Sequence, residues 1–499
     1  MNFSSTRNND IKITSAQAIK QGLSEEGGLF VPESFPSVTL EEIAELSQKS
    51  YKERAFFVLS KYLTDFTEDE LWNCINNAYT KEKFESDAIA PLKEYNDKEY
   101  FLELWHGPTS AFKDMALQIL PHLLTVSIKK TGETKTVTIL VATSGDTGKA
   151  ALEGFKDVDG TKIMVFYPES GVSQVQQRQM NSQEGNNVCV SGVFGNFDDA
   201  QNGVKKIFTD EEYKKLLAEN GVVLSSANSI NFGRLVPQVV YYFSAYCDLI
   251  KNNKIKLGDK INVVVPTGNF GNILAAYYAK RMGLPVNKLI CASNSNNVLT
   301  DFIKTGVYDK TRDFYLTISP SMDILISSNL ERFLYEISGK DAEKTSKYMS
   351  ELSANGKYEI SDDLKAIIAD NFYGGFCDDN ATKETIKKVF EEKNYLIDTH
   401  TAVAKKVYDK YKEETGDETV SVIASTANPY KFVASVLSSV KEDYNKASDE
   451  FSLIDELEAV TGAKIPSPLA NLKNKAVRFT DSCKKEDMQN AVSEFLKVK

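Results

Sequence analysis

Apolar residues recur along this chain in two patterns, and the change from one to the other divides it. Over 39–63 (TLEEIAELSQKSYKERAFFVLSKYL) and 68–84 (EDELWNCINNAYTKEKF) they fall at three- and four-residue spacing, which predicts amphipathic helices. From about residue 97 the texture becomes short β-branched runs, then glycine-rich turns, then amphipathic stretches. That alternation belongs to a parallel sheet with helical crossovers. The runs 134–143 (TKTVTILVAT) and 261–267 (INVVVPT) predict the clearest strands. KIMVFYP, NVCVSGVF and KLICASN predict others, apolar enough to be covered on both faces. Beyond about residue 330 charged helical segments return, and one late strand over 419–425 (TVSVIAS) is expected to rejoin the main sheet. The fold class predicted is α/β.

Composition narrows this picture. With 499 residues, 42% hydrophobic and 26% charged, the chain is too long for one core and is composed like an ordinary soluble protein, so two or three packed units are expected. Seventy acidic against 59 basic residues leave a net charge of −11, which argues against a nucleic-acid-binding surface. No run approaches the ~20 apolar residues of a membrane span, and the first fifteen residues are polar, so a cytoplasmic protein is expected. Six cysteines, at 74, 189, 247, 291, 377 and 483, show no CxxC pairing and no histidine cluster, so neither a disulfide framework nor a metal site is expected. Only three histidines occur, His106, His122 and His400, a scarcity that favours chemistry delegated to a cofactor.

Three segments carry candidate chemistry. Strand 134–143 runs into Ser144-Gly145-Asp146-Thr147-Gly148, where hydroxyls and free backbone N–H groups crowd the start of a helix and make an anion site. A Walker-type phosphate loop fails on spacing, because Lys149 is followed by Ala150 and the first glycine position is Thr143. The second segment is Gly268-Asn269-Phe270-Gly271-Asn272. Its glycines let the backbone approach a phosphate and its asparagines donate from amides, while the absence of lysine or arginine suits a cofactor phosphate held by dipoles. The third is HGPTSAFKDMALQ, 106–118, in which Lys113 is flanked by Ala111 and Phe112. Partial desolvation there lowers an ammonium's pKa and frees the amine for a Schiff base; a lysine chosen at random is far more often a surface residue.

Together HGPTSAFKDMALQ, TSGDTGKAA (143–151) and PTGNFGNILAA (266–276) resemble, in order and spelling, the threonine synthase family of fold-type II pyridoxal-phosphate enzymes. The resemblance extends over most of the chain: Ser5-Thr6-Arg7, GLSEEGGLFVPE (22–33), NSINFGRLVPQVVYY (228–242), SSNLERFL (327–334), DTHTAVA (398–404) and STANPYKF (425–432). It implies two open parallel-sheet α/β domains, a helical N-terminal lobe over 1–96, a catalytic core over 97–440 with a smaller mobile lobe at about 136–235, and a helical C-terminal segment over 441–499.

Carried over residue by residue, the resemblance implies pyridoxal 5′-phosphate joined to Lys113 as a Schiff base. It implies that Gly268, Asn269, Phe270, Gly271 and Asn272 hold the cofactor phosphate, and that Thr426, with Ser425 as rival, meets the pyridine nitrogen. Ser144, Gly145, Asp146, Thr147, Asn231 and Arg234 are implied for the substrate, with Arg332 and Lys431 as looser candidates. The family pattern has an aspartate where this chain has Asn272 and a histidine where it has Asn428. The activity implied is conversion of O-phospho-L-homoserine and water to L-threonine and phosphate by a lyase, in a monomer or homodimer. A threonine or serine dehydratase of the same fold type is the alternative. His106 and His400 stand open between structural and catalytic roles.

Overall fold

A computed structural model describes residues 1–143, 145–169, 172–444 and 448–498. Two sheets dominate it. The larger has six strands in the order Phe372–Phe376, Val286–Ser293, Ile261–Pro266, Ser421–Ser425, Glu99–Glu103 and Leu92–Asn96, parallel throughout except for the last. All six residues of Ile261–Pro266 are buried, as a strand covered by helices on both faces requires. Each fully buried Val or Ile contributes about 1.5–3 kcal/mol, so the strand INVVVP anchors the centre of the domain. The late strand Ser421–Ser425 lies between Ile261–Pro266 and Glu99–Glu103, as TVSVIAS predicts.

The smaller sheet has five parallel strands in the order Ser482–Lys484, Val188–Phe194, Thr161–Pro168, Thr136–Ala142 and Val222–Ser225. A 20-residue helix, Phe232–Lys251, leads from this sheet to the larger one and is buried along nearly its whole length. Strand Glu99–Glu103 of the larger sheet and strand Thr136–Ala142 of the smaller lead at their carboxyl ends into the turns of Lys113 and Asp146, which meet in one crevice.

Several expectations need correction. The N-terminal lobe is not purely helical: Phe3–Ser5, Asn8–Ile13 and Phe30–Pro32 form a three-stranded antiparallel sheet. These strands are only three to six residues long, too brief to show a period. The helix expected over 39–63 is two helices, Leu40–Leu46 and Tyr51–Tyr62; Ser50 starts the second with a capping box to Glu53. Strand Leu92–Asn96 pairs with Glu99–Glu103 in the larger sheet, so residue 96 falls next to a hairpin turn of that sheet. The C-terminal segment is also not helical alone, because Ser482–Lys484 adds an edge strand beside Val188–Phe194. All six cysteines are unpaired.

Candidate active site

Lys113 ends the loop that follows strand Glu99–Glu103, directly ahead of the short helix Asp114–Leu117. The loop is folded tightly. Thr109 donates from its N–H and its hydroxyl to the two carboxylate oxygens of Asp114, at 2.8 and 2.7 Å, and Gly107 sits so close that a Cβ there would lie 2.6 Å from Asp114. Burial pushes the Asp114 carboxyl up to about 6 against those hydrogen bonds. On its other side the loop is stitched to the segment after strand Ser421–Ser425. Ala111 bridges Ala427, the Phe112 N–H donates to the Thr426 carbonyl at 2.8 Å, and the Asn428 N–H donates to the Ser110 carbonyl at 3.0 Å. Lys113 is therefore set by backbone bonds on both sides.

The Lys113 amine donates to Asp146 Oδ2 at 3.3 Å and to Ser321 Oγ at 3.2 Å. Asp146 is the first residue of helix Asp146–Phe155, whose leading N–H groups are organised by Thr143: its Oγ1 accepts from Gly145 N at 3.0 Å and Gly148 N at 2.9 Å. Gly145 has φ 136°, and a Cβ there would meet the Gln176 amide at 2.6 Å, so only glycine fits. Asp146 Oδ1 pairs with Lys431 at 3.0 Å and accepts from Gln176 Nε2 at 3.0 Å. Lys431 is 1% exposed and also donates to the Thr109 carbonyl at 2.9 Å.

The charges decide the protonation states. Burial lowers the Lys113 amine below the ordinary lysine range; Asp146 opposes the shift, while Lys431 and Arg234 reinforce it. Burial alone would raise the Asp146 carboxyl, but Lys431 and Lys113 hold it well below the usual carboxylate range. Arg234 is buried, its Nη1 donates to the Ala227 carbonyl at 2.6 Å, and its Nε has no partner. Burial lowers the guanidinium to about 10, and no carboxylate pairs with it among the described residues. Two buried lysines thus share one carboxylate, with Arg234 adding a third positive charge that acts on Lys113, inside a chain of net charge −11.

The second loop is neutral. Phe270 adopts φ 62° and turns the chain into helix Gly271–Met282. Gly268 lies against the Ser321 carbonyl, 2.6 Å from where a Cβ would stand, and its own carbonyl accepts from Ser327 Oγ at 2.8 Å. The Asn269 carbonyl accepts from both N–H groups of Asn329, backbone and Nδ2, each at 3.1 Å. Asn272 Oδ1 accepts from the hydroxyls of Tyr241, at 2.7 Å, and Tyr242, while its Nδ2 is buried without a partner.

The structure brings Lys113, Asp146, Lys431 and Arg234 into one electrostatic cluster, and Ser321 joins that cluster to the Gly268 turn. Gly145 precedes the helix that starts at Asp146, and Thr147 is half-buried in its first turn. Thr426 makes no side-chain hydrogen bond among the described residues, whereas the Ser425 hydroxyl already accepts from Trp105 Nε1 at 3.0 Å. Ser144 lies outside the described residues. Asn231 is committed elsewhere: it caps helix Phe232–Lys251 through Gly233 N at 2.8 Å and donates to the Ile19 carbonyl at 2.9 Å. Arg332 is likewise spent on the Phe30 and Ile230 carbonyls and on Asn329 Oδ1. His106 bonds Glu103 at 2.8 Å and stacks on Trp105. Sequence reasoning missed Ser321 and Gln176, which reach the site by tertiary approach alone; the Pro320 turn before Ser321 is the sole local cue.

A crevice between two open sheets with a desolvated lysine at strand ends defines a class. The family model described as "Pyridoxal-phosphate dependent enzyme" matches residues 84–426, and "Threonine synthase N terminus" matches residues 2–79. Threonine synthase of Saccharomyces cerevisiae is 35% identical over 522 residues, covering 99% of this chain and 98% of that protein. Human "Threonine synthase-like 1" is 41% identical, covering 87% of this chain and 59% of that protein; the chain spans about three-fifths of the length of these longer relatives. The crystal structure of a PLP-bound threonine synthase from Brucella melitensis superposes with a TM-score of 0.88 at 36% identity, covering 100% of this chain and 99% of that one. The chain belongs to the threonine synthase family of pyridoxal-phosphate dependent enzymes. No helix among the described residues is long and apolar enough to cross a membrane.

Proposed function

We propose that this enzyme converts O-phospho-L-homoserine and water to L-threonine and phosphate, with pyridoxal phosphate joined to Lys113. The observation that carries the reading is the buried Arg234, which has no carboxylate partner among the described residues and whose charge acts on the desolvated Lys113 amine. A buried guanidinium without a counter-ion is costly, and it is relieved by an anionic ligand. Family membership at near-complete coverage supports the same substrate.

The residues present fit the cofactor. Gly268 leaves no room for a side chain, and the orphan Asn272 Nδ2 and the leading N–H groups of helix Gly271–Met282 supply donors without net charge. Gly268, Asn269, Phe270, Gly271 and Asn272 would hold its phosphate, and the free hydroxyl of Thr426 would meet the ring nitrogen. When bound, pyridoxal phosphate supplies an electron sink that stabilises negative charge on an attached amino acid.

The remaining work belongs to the protein. Arg234 and the turn at Gly145–Thr147 would bind the substrate's phosphate or carboxylate, the guanidinium by its planar fork. Lys113 Nζ would take and return protons at the substrate carbons, because burial keeps its neutral form accessible. Asp146 stays ionised and steadies the ammonium each time it forms. Closure of the smaller sheet and its helices over the crevice would exclude water until the phosphate has left.

Borohydride reduction of the loaded protein, followed by peptide mass spectrometry, tests the assignment. The adduct is expected on Lys113 alone; an adduct on Lys431 or Lys149 would overturn it. Saturable release of phosphate from O-phospho-L-homoserine is expected from the same preparation.

A further inference from the structure

Ser321 belongs to none of the motifs that suggest the function, yet its hydroxyl touches the reacting nitrogen. Its Oγ accepts from Lys113 Nζ at 3.2 Å and donates to Asp146 Oδ2 at 3.4 Å, closing a triangle with the Lys113 to Asp146 contact of 3.3 Å. One anchor leaves an ammonium free to swing about a single contact. Two anchors on different elements fix its direction.

The turn that carries Ser321 is itself held. The Ser321 backbone N–H donates to His400 Nε2 at 3.1 Å. An amide nitrogen can only donate, so Nε2 carries no proton, and Nδ1 is the protonated nitrogen that donates to Asp398 Oδ2 at 2.8 Å. Asp398 is fully buried and is locked by the N–H groups of His400 and Thr401, at 2.9 and 3.2 Å, at the start of helix Thr399–Thr415. Phe432 packs on the imidazole, with ring centroids 4.7 Å apart. Asp398 orients the ring, the ring orients the Ser321 backbone, and the hydroxyl meets the amine.

We propose that Ser321 is a further catalytic residue, whose hydroxyl aims the Lys113 amine, and that Asp398 and His400 are its positioning pair. The inference rests on Lys113 being the reacting amine. When Nζ is protonated, an N–H points to Ser321 Oγ. When Nζ is neutral, the hydroxyl can turn and donate to the nitrogen lone pair. The serine keeps its own proton in both states and only reorients, so no further acid or base is required.

The test reads the amine without cofactor or substrate. In the full chain stripped of cofactor, acetylation of Lys113 by acetic anhydride is followed against pH by peptide mass spectrometry. The charged groups facing Nζ are Asp146, Lys431 and Arg234, which all variants retain. Removing an acceptor from the ammonium in Ser321→Ala is expected to move the midpoint down by roughly one pH unit. In the loaded enzyme kcat is expected to fall about ten- to hundredfold at nearly constant KM. Ser321→Thr restores both. His400→Ala reproduces the shift, and His400→Gln, whose amide oxygen can accept the Ser321 N–H, recovers most of it. An unchanged midpoint in Ser321→Ala, or one that Ser321→Thr fails to restore, would overturn the proposal. If Ser321→Ala does not fold, equal curves for His400→Ala and His400→Gln overturn it instead. A normal midpoint shift without threonine production would count against the proposed activity and leave this inference standing.

Discussion

The two anion-ready regions of the crevice are built on opposite plans. The turn Gly268–Asn272 carries no charge; its donors are backbone N–H groups and the Asn269 and Asn272 amides, and its shape is held by Ser327, Asn329, Tyr241 and Tyr242. The cluster around Asp146 is built on charge, with Lys113 and Lys431 paired to one carboxylate and Arg234 adding positive charge near Lys113. Fixed dipoles suit a group that stays bound, because they need no reorganisation and bring no counter-ion. Charges suit a phosphate that arrives and must leave, and an amine that must change protonation state. The difference matches the proposed division, with the neutral turn for the resident cofactor and the charged cluster for turnover.

The comparison can be broken most severely at Asp146. Asp146→Asn leaves buried Lys431 without its counter-charge, and a loss of about 3–5 kcal/mol is expected in urea unfolding at neutral pH. The sign with pH follows from the direction of the shift. A carboxylate held below its unfolded value contributes stability above the ordinary carboxylate range and loses it as pH falls below that range. The parent should therefore lose stability in acid more steeply than Asp146→Asn, and parallel acid limbs would sink the account of this cluster.

Arg234→Gln comes next. It should lower kcat/KM for O-phospho-L-homoserine by about 10²-fold while leaving cofactor affinity within a fewfold, as steady-state kinetics and absorbance titration would report. Equal losses in both quantities would erase the division of labour. Gly268→Ala should do the reverse: a Cβ placed 2.6 Å from the Ser321 carbonyl forces the turn open, and cofactor affinity is expected to fall by about tenfold or more. Tyr242→Phe is the mildest. Tyr241 still holds Asn272 Oδ1, so cofactor affinity should weaken only about two- to fivefold.

How much of this was legible in the sequence depends on the range of the interaction. The central strands were legible because burial on both faces demands continuous runs such as INVVVP, and TVSVIAS declared its return to the sheet in the same way. The edge strand Ser482–Lys484 and the small N-terminal sheet were not, being only three to six residues long. Lys113 stood out through its motif neighbours, since desolvation depends on groups far away in the chain. Ser321, 208 positions from Lys113, left no local cue beyond the Pro320 turn before it. Asn231 and Arg332 show the converse: motif residues with the right chemistry whose donors go to carbonyls of the N-terminal lobe, Ile19 for Asn231 and Phe30 for Arg332.

The central claim is that one crevice removes phosphate from O-phospho-L-homoserine and adds water in its place. Threonine and inorganic phosphate measured together from a single incubation test it most directly. The account predicts equal amounts of the two, and neither in Lys113→Ala. Phosphate accompanied by ammonia and a 2-oxo acid instead of threonine would contradict it.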